Sequence, residues 1–207
     1  MDMKRVRLLF IFWLISSLAH ATALRSPPPV SATLPPYPPG LSVVSKRTAE
    51  DLFHELATDP EIPWDYPDGC YAKAEMADIF LEQKGIIAGK AFAEGEIYHQ
   101  SHWGESFWLF HVASLILVEY SGRAQPYIID PFLSDKLVSY KNWLALVKKD
   151  PNTIISQTYF TNRFVYGPQQ RNLNLNHYNK HTLKDMKTVL QQIRDYLAGY
   201  SGRLLKP

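Results

Sequence analysis

The spacing of apolar residues along the chain predicts helices at both ends of its globular part and strands between them. A short helix is predicted to begin at a segment that resembles a capping box, residues 48–51, and to end before Pro60. At the other end, Thr182 and Asp185 cap an apolar face and predict a final helix that ends at Gly199.

A second helix is predicted from about Cys70 to Lys84. Asp68 is a suitable N-cap, no proline interrupts the segment, and Gly85 offers a left-handed stop at its end. The core face of this helix is expected to consist of four residues, Ala72, Met76, Ile79 and Phe80.

The middle of the chain has the composition of β-strands. Three aromatic and β-branched segments are predicted as strands, KAFAEGEIYHQ, FWLFHVASLILVEY and PYIIDPF, and SGRAQ is the predicted turn between the last two. LVSYKNWLALVKKDP is then expected to be helical, and TYFTNRFVYGP is expected to return as a strand. The order predicts an α+β fold, in which an antiparallel sheet packs against helices and a cysteine begins one helix.

The first 44 residues have a different character from the rest. Basic residues precede the apolar run LLFIFWLISSL, which is 11 residues long and is followed by Ala-His-Ala, so residues 1–21 are predicted to be a signal peptide cut after Ala21. A membrane span needs about 20 residues. Residues 22–44 include SPPPVSATLPPYPPG, which predicts an extended linker or short pro-segment. Residues 45–207 are then predicted to form one domain of ordinary size.

Charge changes the expected class of partner. The chain has 22 basic and 20 acidic residues, and the predicted leader carries three basic and one acidic residue, which leaves 19 of each after cleavage. Without a net charge or a stripe of lysine and arginine, no nucleic-acid partner is expected. We expect an exported, soluble monomer without a stable membrane span, located in the periplasm or outside the cell.

Cys70 is the one cysteine in the chain and falls at the predicted start of a helix. The unpaired backbone N–H groups and the helix dipole there favour an anion, which would activate the thiol as a nucleophile. The same N–H groups suit an oxyanion on an attacked carbonyl group. A buried, inert cysteine is the common alternative, and an intermolecular disulfide is another.

His111 and Asp130 are candidate partners of this thiol. His111 interrupts the apolar segment FWLFHVASLILV, where burial is costly unless the imidazole is paired. Asp130 ends the strand PYIID, and a hairpin through SGRAQ would bring it towards His111. A satisfied core histidine and a turn aspartate are the alternatives, since the strand register is not fixed by the sequence.

The remaining histidines give weaker signals. His99 and His102 form an H-x-x-H pair without a third ligand at suitable spacing, so neither a metal nor a cofactor is expected. His54, His177 and His181 are expected on the surface.

The three candidate residues occur in the order Cys, His, Asp, and their surroundings resemble the bacterial protein glutaminases, whose core is papain-like and transglutaminase-like. The resemblance rests on DGCYAKA around Cys70, FHVASLILV around His111 and IIDPFL around Asp130, and continues more weakly through YKNWLALV and TNRFVYGP. It covers about residues 62–168. The chain lacks the further cysteines that staple some relatives.

This resemblance implies hydrolysis of protein-bound glutamine to glutamate and ammonia. On the matching positions Cys70 becomes the nucleophile, His111 the acid and base, and Asp130 the residue that orients the imidazole. Trp103, Trp108 and Tyr66 are candidate substrate-binding residues, with core packing as the alternative for at least one tryptophan. Tyr66 and Trp64 are also candidates for a second oxyanion donor.

Two other classes of function stay open. A transglutaminase or a cysteine peptidase could use the same core, and the products made from a glutamine-bearing protein would distinguish them. A non-enzymatic binding module that acts through its proline-rich arm would be indifferent to thiol alkylation.

Overall fold

The computed structural model describes residues 34–204, with side chains through residue 200. The predicted signal peptide and the first part of the proline-rich segment lie outside this range. Within it, the elements follow in the order β1 (Val43–Ser45), α1 (Lys46–Ala57), α2 (Cys70–Gln83), β2 (Gly89–Ser101), β3 (Gly104–Tyr120), β4 (Arg123–Ile129), β5 (Val138–Ser139), α3 (Tyr140–Val147), β6 (Ile154–Asn162), a 3-10 turn (Pro168–Gln170) and α4 (Lys180–Leu204). The α+β expectation is confirmed.

The sheet has the strand order β5-β4-β3-β2-β6, and all these neighbours are antiparallel. The short strand β1 adds a parallel pairing along the end of β3. The predicted hairpin between β3 and β4 is present, and Ser121 and Gly122, both with positive φ, form its turn. Its register pairs Ser114 with Ile129, so the residue after β4 comes next to the middle of β3.

Helices cover both faces of the sheet. One apolar cluster joins α3 to β2, β3, β4 and β6, and a second joins α1 and α2 to β3 and β4. α4 packs on the outer side of α2 through Met186 and Leu190. α2 is therefore enclosed between the sheet, α1 and α4.

The predicted core face of α2 is only partly correct. Ala72 is buried, whereas Met76, Ile79 and Phe80 are half-buried. The fully buried positions of the helix also include three charged residues, Lys73, Glu75 and Asp78. A helix packed on several sides has no single apolar stripe, and small alanines let its neighbours come close.

Two of those charges belong to a buried ion cluster. The Lys90 ammonium on β2 donates to the Glu75 carboxylate and to the Val165 carbonyl oxygen, the latter at 2.9 Å. Asp78 lies 3.8 Å from the same nitrogen. Burial raises the pKa of Asp78 to about 8 despite the opposing charge of Lys90.

Helix boundaries differ from expectation in three places. Ser45, rather than a residue of the predicted box, caps α1, because its side chain accepts the N–H of Thr48 at 3.1 Å. Gly69, rather than Asp68, is the N-cap of α2. α4 begins at Lys180 and continues through Gly199, because one exposed glycine costs a helix only about 1 kcal/mol. The left-handed stop at Gly85 is confirmed by its φ of 77°.

Candidate active site

The strongest polar contact of the site joins His111 to Asp130. The Nε2 atom of His111 lies 2.7 Å from Oδ2 of Asp130, and each residue is only 2% exposed. β3 supplies the histidine, and the β3–β4 hairpin brings the aspartate beside it. The predicted approach of these two side chains is therefore present.

The pair is electrostatically coupled. Burial alone would lower the pKa of His111, but the charge and hydrogen bond of Asp130 outweigh it and raise that pKa to about 10. Burial opposes ionisation of Asp130 in turn, and contacts with His111 and Trp143 hold its pKa below the usual value. The imidazole is thus charged at neutral pH.

A second donor fixes the carboxylate. The indole N–H of Trp143, in α3, donates to Oδ2 of Asp130 at 2.8 Å. The sequence analysis did not identify Trp143, although it lies in the segment YKNWLALV. A buried indole needs an acceptor, but nothing in the local sequence shows which acceptor it finds.

Four aromatic rings form a column through the site. Trp108 stacks on His111 with ring centres 5.1 Å apart, and His99 stacks on Trp108 at 5.2 Å. Trp143 also stacks on His111, at 5.9 Å. His111 therefore contacts two indoles, whose π faces favour a cation.

Cys70 is the first residue of α2, as predicted. The preceding Gly69 has a φ of 77°, a conformation that glycine adopts without strain, and the chain turns sharply there. A β-carbon at Gly69 would lie 2.8 Å from Cδ1 of Ile193 in α4. Cys70 thus depends on a turn that α4 packs against.

The start of α2 has no side-chain cap. Oδ1 of Asp68 accepts the N–H of Gly69 at 2.7 Å, one residue too early to reach the amides of the first helical turn. The N–H groups of Ala72 and Lys73 donate to the Gly69 carbonyl oxygen at 3.0 Å, which leaves the amides of Cys70 and Tyr71 unpaired. This helix end can therefore donate hydrogen bonds to a negatively charged oxygen beside Cys70.

A small pocket joins the thiol to the His111–Asp130 pair. Its volume is about 10 Å³, room for about one water molecule. Cys70, His111 and Asp130 line it together with seven other residues, Trp64, Pro67, Lys73, Ala74, Val112, Ala113 and Phe132. Among the described residues, Nδ1 of His111 has no hydrogen-bond partner, and Cys70 is close enough to help raise the pKa of the imidazole. The free ring nitrogen is thus available to the thiol.

Lys73 is a further pocket residue that the sequence analysis missed. Its ammonium donates to the carbonyl oxygen of Tyr66 and lies 5.3 Å from the centre of the Phe132 ring. Apolar periodicity gives no signal for a buried lysine, and its position three residues after Cys70 was the available clue.

A larger groove lies next to this pocket. Its volume is about 460 Å³, and Trp64 and Phe132 separate it from the pocket because they line both. Asp65, His99 and His102 add polar groups to the groove. Its volume is many times that of the pocket beside Cys70.

The three expected substrate-binding residues lie in two different parts of the structure. Trp108 is in contact with His111, as described above. The side chains of Tyr66 and Trp103 instead pack together with Tyr196 of α4, at ring distances of 5.4 to 6.0 Å. Only the backbone carbonyl of Tyr66 reaches the pocket, through Lys73.

The other predicted candidates have different surroundings. The indole N–H of Trp64 donates to the carbonyl oxygen of Leu56 at 2.7 Å, so this side chain is already paired. His54, His177 and His181 are exposed, as expected.

Across residues 34–200, no three histidine, cysteine or acidic side chains are grouped to hold a metal ion. No helix among the described residues is long and apolar enough to cross a membrane.

Comparison with known proteins places this arrangement in context. Residues 49–147 match the family model described as Glutaminase. The NMR structure of protein-glutaminase from Chryseobacterium proteolyticum is similar at a TM-score of 0.63 and 26% identity, over 73% of this chain and 89% of that one. No curated protein matches the sequence.

Two crystal structures support the same fold. A protein-glutaminase is similar at a TM-score of 0.61 and 24% identity, over 73% of this chain and 88% of that one. A pro-protein-glutaminase is similar at 0.63 and 23% identity, over 78% of this chain and 62% of that one.

Proposed function

Because residues 49–147 of this chain match the glutaminase family model, we propose that it deamidates protein-bound glutamine, producing glutamate and ammonia. The observation that carries the proposal is the single cysteine at a helix start, in one pocket with a buried His–Asp pair. The likeness to a solved protein-glutaminase supports the choice of substrate.

In the first half of the reaction, the Cys70 thiolate attacks the carboxamide carbon of glutamine. The first-turn amides of α2 hold the negative oxygen of the tetrahedral intermediate, since no side chain caps them. His111 is charged and gives a proton to the departing ammonia. A thioester on Cys70 remains.

In the second half, water replaces ammonia. His111, now neutral, takes a proton from the water as the water oxygen attacks the thioester carbon. The intermediate then expels the Cys70 thiolate and releases glutamate, which restores the starting thiolate and charged imidazole. Asp130 is hydrogen-bonded to Nε2 of the imidazole, so that Nδ1 is the nitrogen that exchanges protons with the substrate and water. Trp108 and Trp143 hold the plane of the ring.

The adjoining groove suits a polypeptide better than free glutamine. The pocket beside the thiol has room for about one water molecule, so binding energy from flanking residues is needed to bring the carboxamide in and to turn Phe132 aside. Peptides and unfolded proteins should therefore be better substrates than the free amino acid.

The test is ammonia release by the purified protein under mild reduction. A glutamine-containing peptide should gain about one mass unit with its peptide bonds intact, which is the change from amide to acid produced by acyl transfer to water. Cys70→Ala should abolish release, and so should alkylation, since no second thiol exists. Efficient incorporation of an added amine would identify a transglutaminase, and backbone cleavage a peptidase.

We also propose that the protein acts after export as a monomer, with the signal peptide removed near Ala21. The order of basic, apolar and small residues in the leader supports this. N-terminal sequencing of the secreted protein should find Thr22 first, and a start beyond residue 40 would identify the proline-rich segment as a removed pro-segment. Light scattering, which measures the mass in solution, tests whether the protein is a monomer.

A further inference from the structure

Lys73 is a buried cation in the wall of the pocket that holds Cys70. It lies three residues after Cys70 on α2, so the two side chains share one face of the helix. Lys73 is only 2% exposed, and it lines the same pocket as the thiol. No step of the proposed reaction has so far used it.

The contacts of Lys73 leave its charge without a close acid. The ammonium donates to the Tyr66 carbonyl oxygen and approaches the face of Phe132. Among residues 34–200, no carboxylate lies within ion-pairing distance of it. A buried ammonium with only a carbonyl and a ring beside it is costly, so its retention calls for an anionic partner.

We propose that Lys73 is a positioning residue that favours the thiolate form of Cys70, and this role rests on the proposed function of that thiol as a nucleophile. The Tyr66 carbonyl and the Phe132 ring hold the ammonium at the pocket wall. Its charge then acts on the sulfur together with the amides at the helix start.

The mutual coupling of the two groups supports this role. Burial lowers the pKa of Lys73 to about 8, and the opposing groups, in decreasing order, are Cys70, Asp130, Asp68 and Asp65. The thiol is thus the group that does most to keep this lysine charged. Since the attraction between two opposite charges is mutual, an ammonium in this position also stabilises a negative charge on the sulfur.

The charges around the pair come from three parts of the chain. Asp65 and Asp68 belong to the loop before α2, His111 belongs to β3, and Asp130 follows β4. His111 and Asp130 are paired with each other, so they contribute little net charge at the sulfur. Lys73 is the remaining cation in the pocket lining.

The experiment is the rate of alkylation by iodoacetamide, measured by mass spectrometry across pH 4 to 10. Alkylation reports Cys70 alone, because the chain has one cysteine. In Lys73→Met, the midpoint of the rate profile should move up by about one pH unit or more, the usual effect of losing a nearby opposite charge. Lys73→Arg keeps the charge and should stay closer to the wild-type midpoint.

Lys84→Met is the matched control. Lys84 is the C-cap of the same helix and pairs with Glu55 on the surface, far along α2 from the thiol. Its loss should leave the alkylation midpoint unchanged. An unchanged midpoint in a folded Lys73→Met variant would overturn the proposal.

A second measurement does not depend on the folding of the lysine variants. Selective ¹³C labelling of lysine lets NMR follow the titration of Lys73 in the wild type and in Cys70→Ala. Without the thiolate, the Lys73 ammonium should lose its proton at lower pH, and an unchanged titration would count against the coupling. If alkylation depends on Lys73 but the wild type releases no ammonia, the proposed function fails and the coupling stands.

Discussion

The indole nitrogen of Trp143 lies 2.8 Å from Oδ2 of Asp130, the same oxygen that the His111 ring contacts at 2.7 Å. One carboxylate oxygen therefore connects α3 to the His111 ring. The hydrogen bond from Trp143 fixes where that oxygen points, and so helps to fix the imidazole.

Trp143→Phe should keep much of the ring packing and lose this hydrogen bond. We expect turnover to fall about tenfold, the equivalent of the roughly 1.5 kcal/mol expected for a hydrogen bond to a charged group. Ammonia release from an unfolded protein measures the effect. Trp103→Phe is the control, because its indole N–H donates to the Asp65 carbonyl oxygen instead. Equal losses in both variants would show that the Asp130 contact is not the cause.

Asp130→Asn tests the orientation of the histidine. An amide can present the wrong hydrogen-bonding group to Nε2 and select the wrong imidazole tautomer, an effect of about four orders of magnitude in a comparable triad. Turnover should collapse while the circular dichroism spectrum stays native. Wild-type kinetics in this variant would remove Asp130 from the mechanism.

Gly69→Ala tests the turn that sets the position of Cys70. The added β-carbon meets a positive φ and also Ile193 at 2.8 Å, so the helix start should shift and turnover should fall about tenfold or more. Gly85→Ala is the matched control at the other end of α2. Its φ is also 77°, but its β-carbon would enter open space, so it should cost about 1 kcal/mol of stability without changing turnover. Both variants are measured by thermal unfolding and by ammonia release.

The buried ion cluster predicts how stability depends on pH. The pKa of Asp78 is raised to about 8, so the folded state retains a proton that the unfolded chain releases near pH 4. The contribution of this protonated carboxyl group to the free energy of unfolding is complete below about pH 4, and it is lost progressively as pH rises towards 8. The melting temperature should decline over this window, and Asp78→Asn should flatten the decline.

Asp135→Asn is the control for that measurement, because Asp135 is exposed on the loop after β4. It should leave the pH dependence of the melting temperature as in the wild type. A decline that persists unchanged in Asp78→Asn would place its origin elsewhere.

Local patterns in the sequence were sufficient for the sheet and for the central pair of the site. Strand composition and one turn predict the β3–β4 hairpin, which allows His111 to approach Asp130, but the register that brings them together is fixed only by the structure. The helix from Cys70 was also predicted, although its N-cap is Gly69 and not Asp68.

The interior of α2 could not be predicted in the same way. Glu75 can be buried because it pairs with Lys90 on β2, whose ammonium also donates to the Val165 carbonyl oxygen. Lys73 can be buried because its ammonium donates to the Tyr66 carbonyl oxygen in the loop before α2. Apolar periodicity assigns such residues to the surface. Trp143 was missed for a related reason, since its acceptor lies 13 residues away and is fixed only by tertiary structure.

The stacking of His111 with Trp108 and Trp143 has an optical consequence. A protonated imidazole in contact with an excited indole accepts an electron from it and quenches its emission, whereas a neutral imidazole does so far less. Two of the four tryptophans that follow the predicted leader therefore report the charge of the His111 ring. A single-turnover experiment should show brightening as His111 gives up its proton to ammonia and dimming as water returns one.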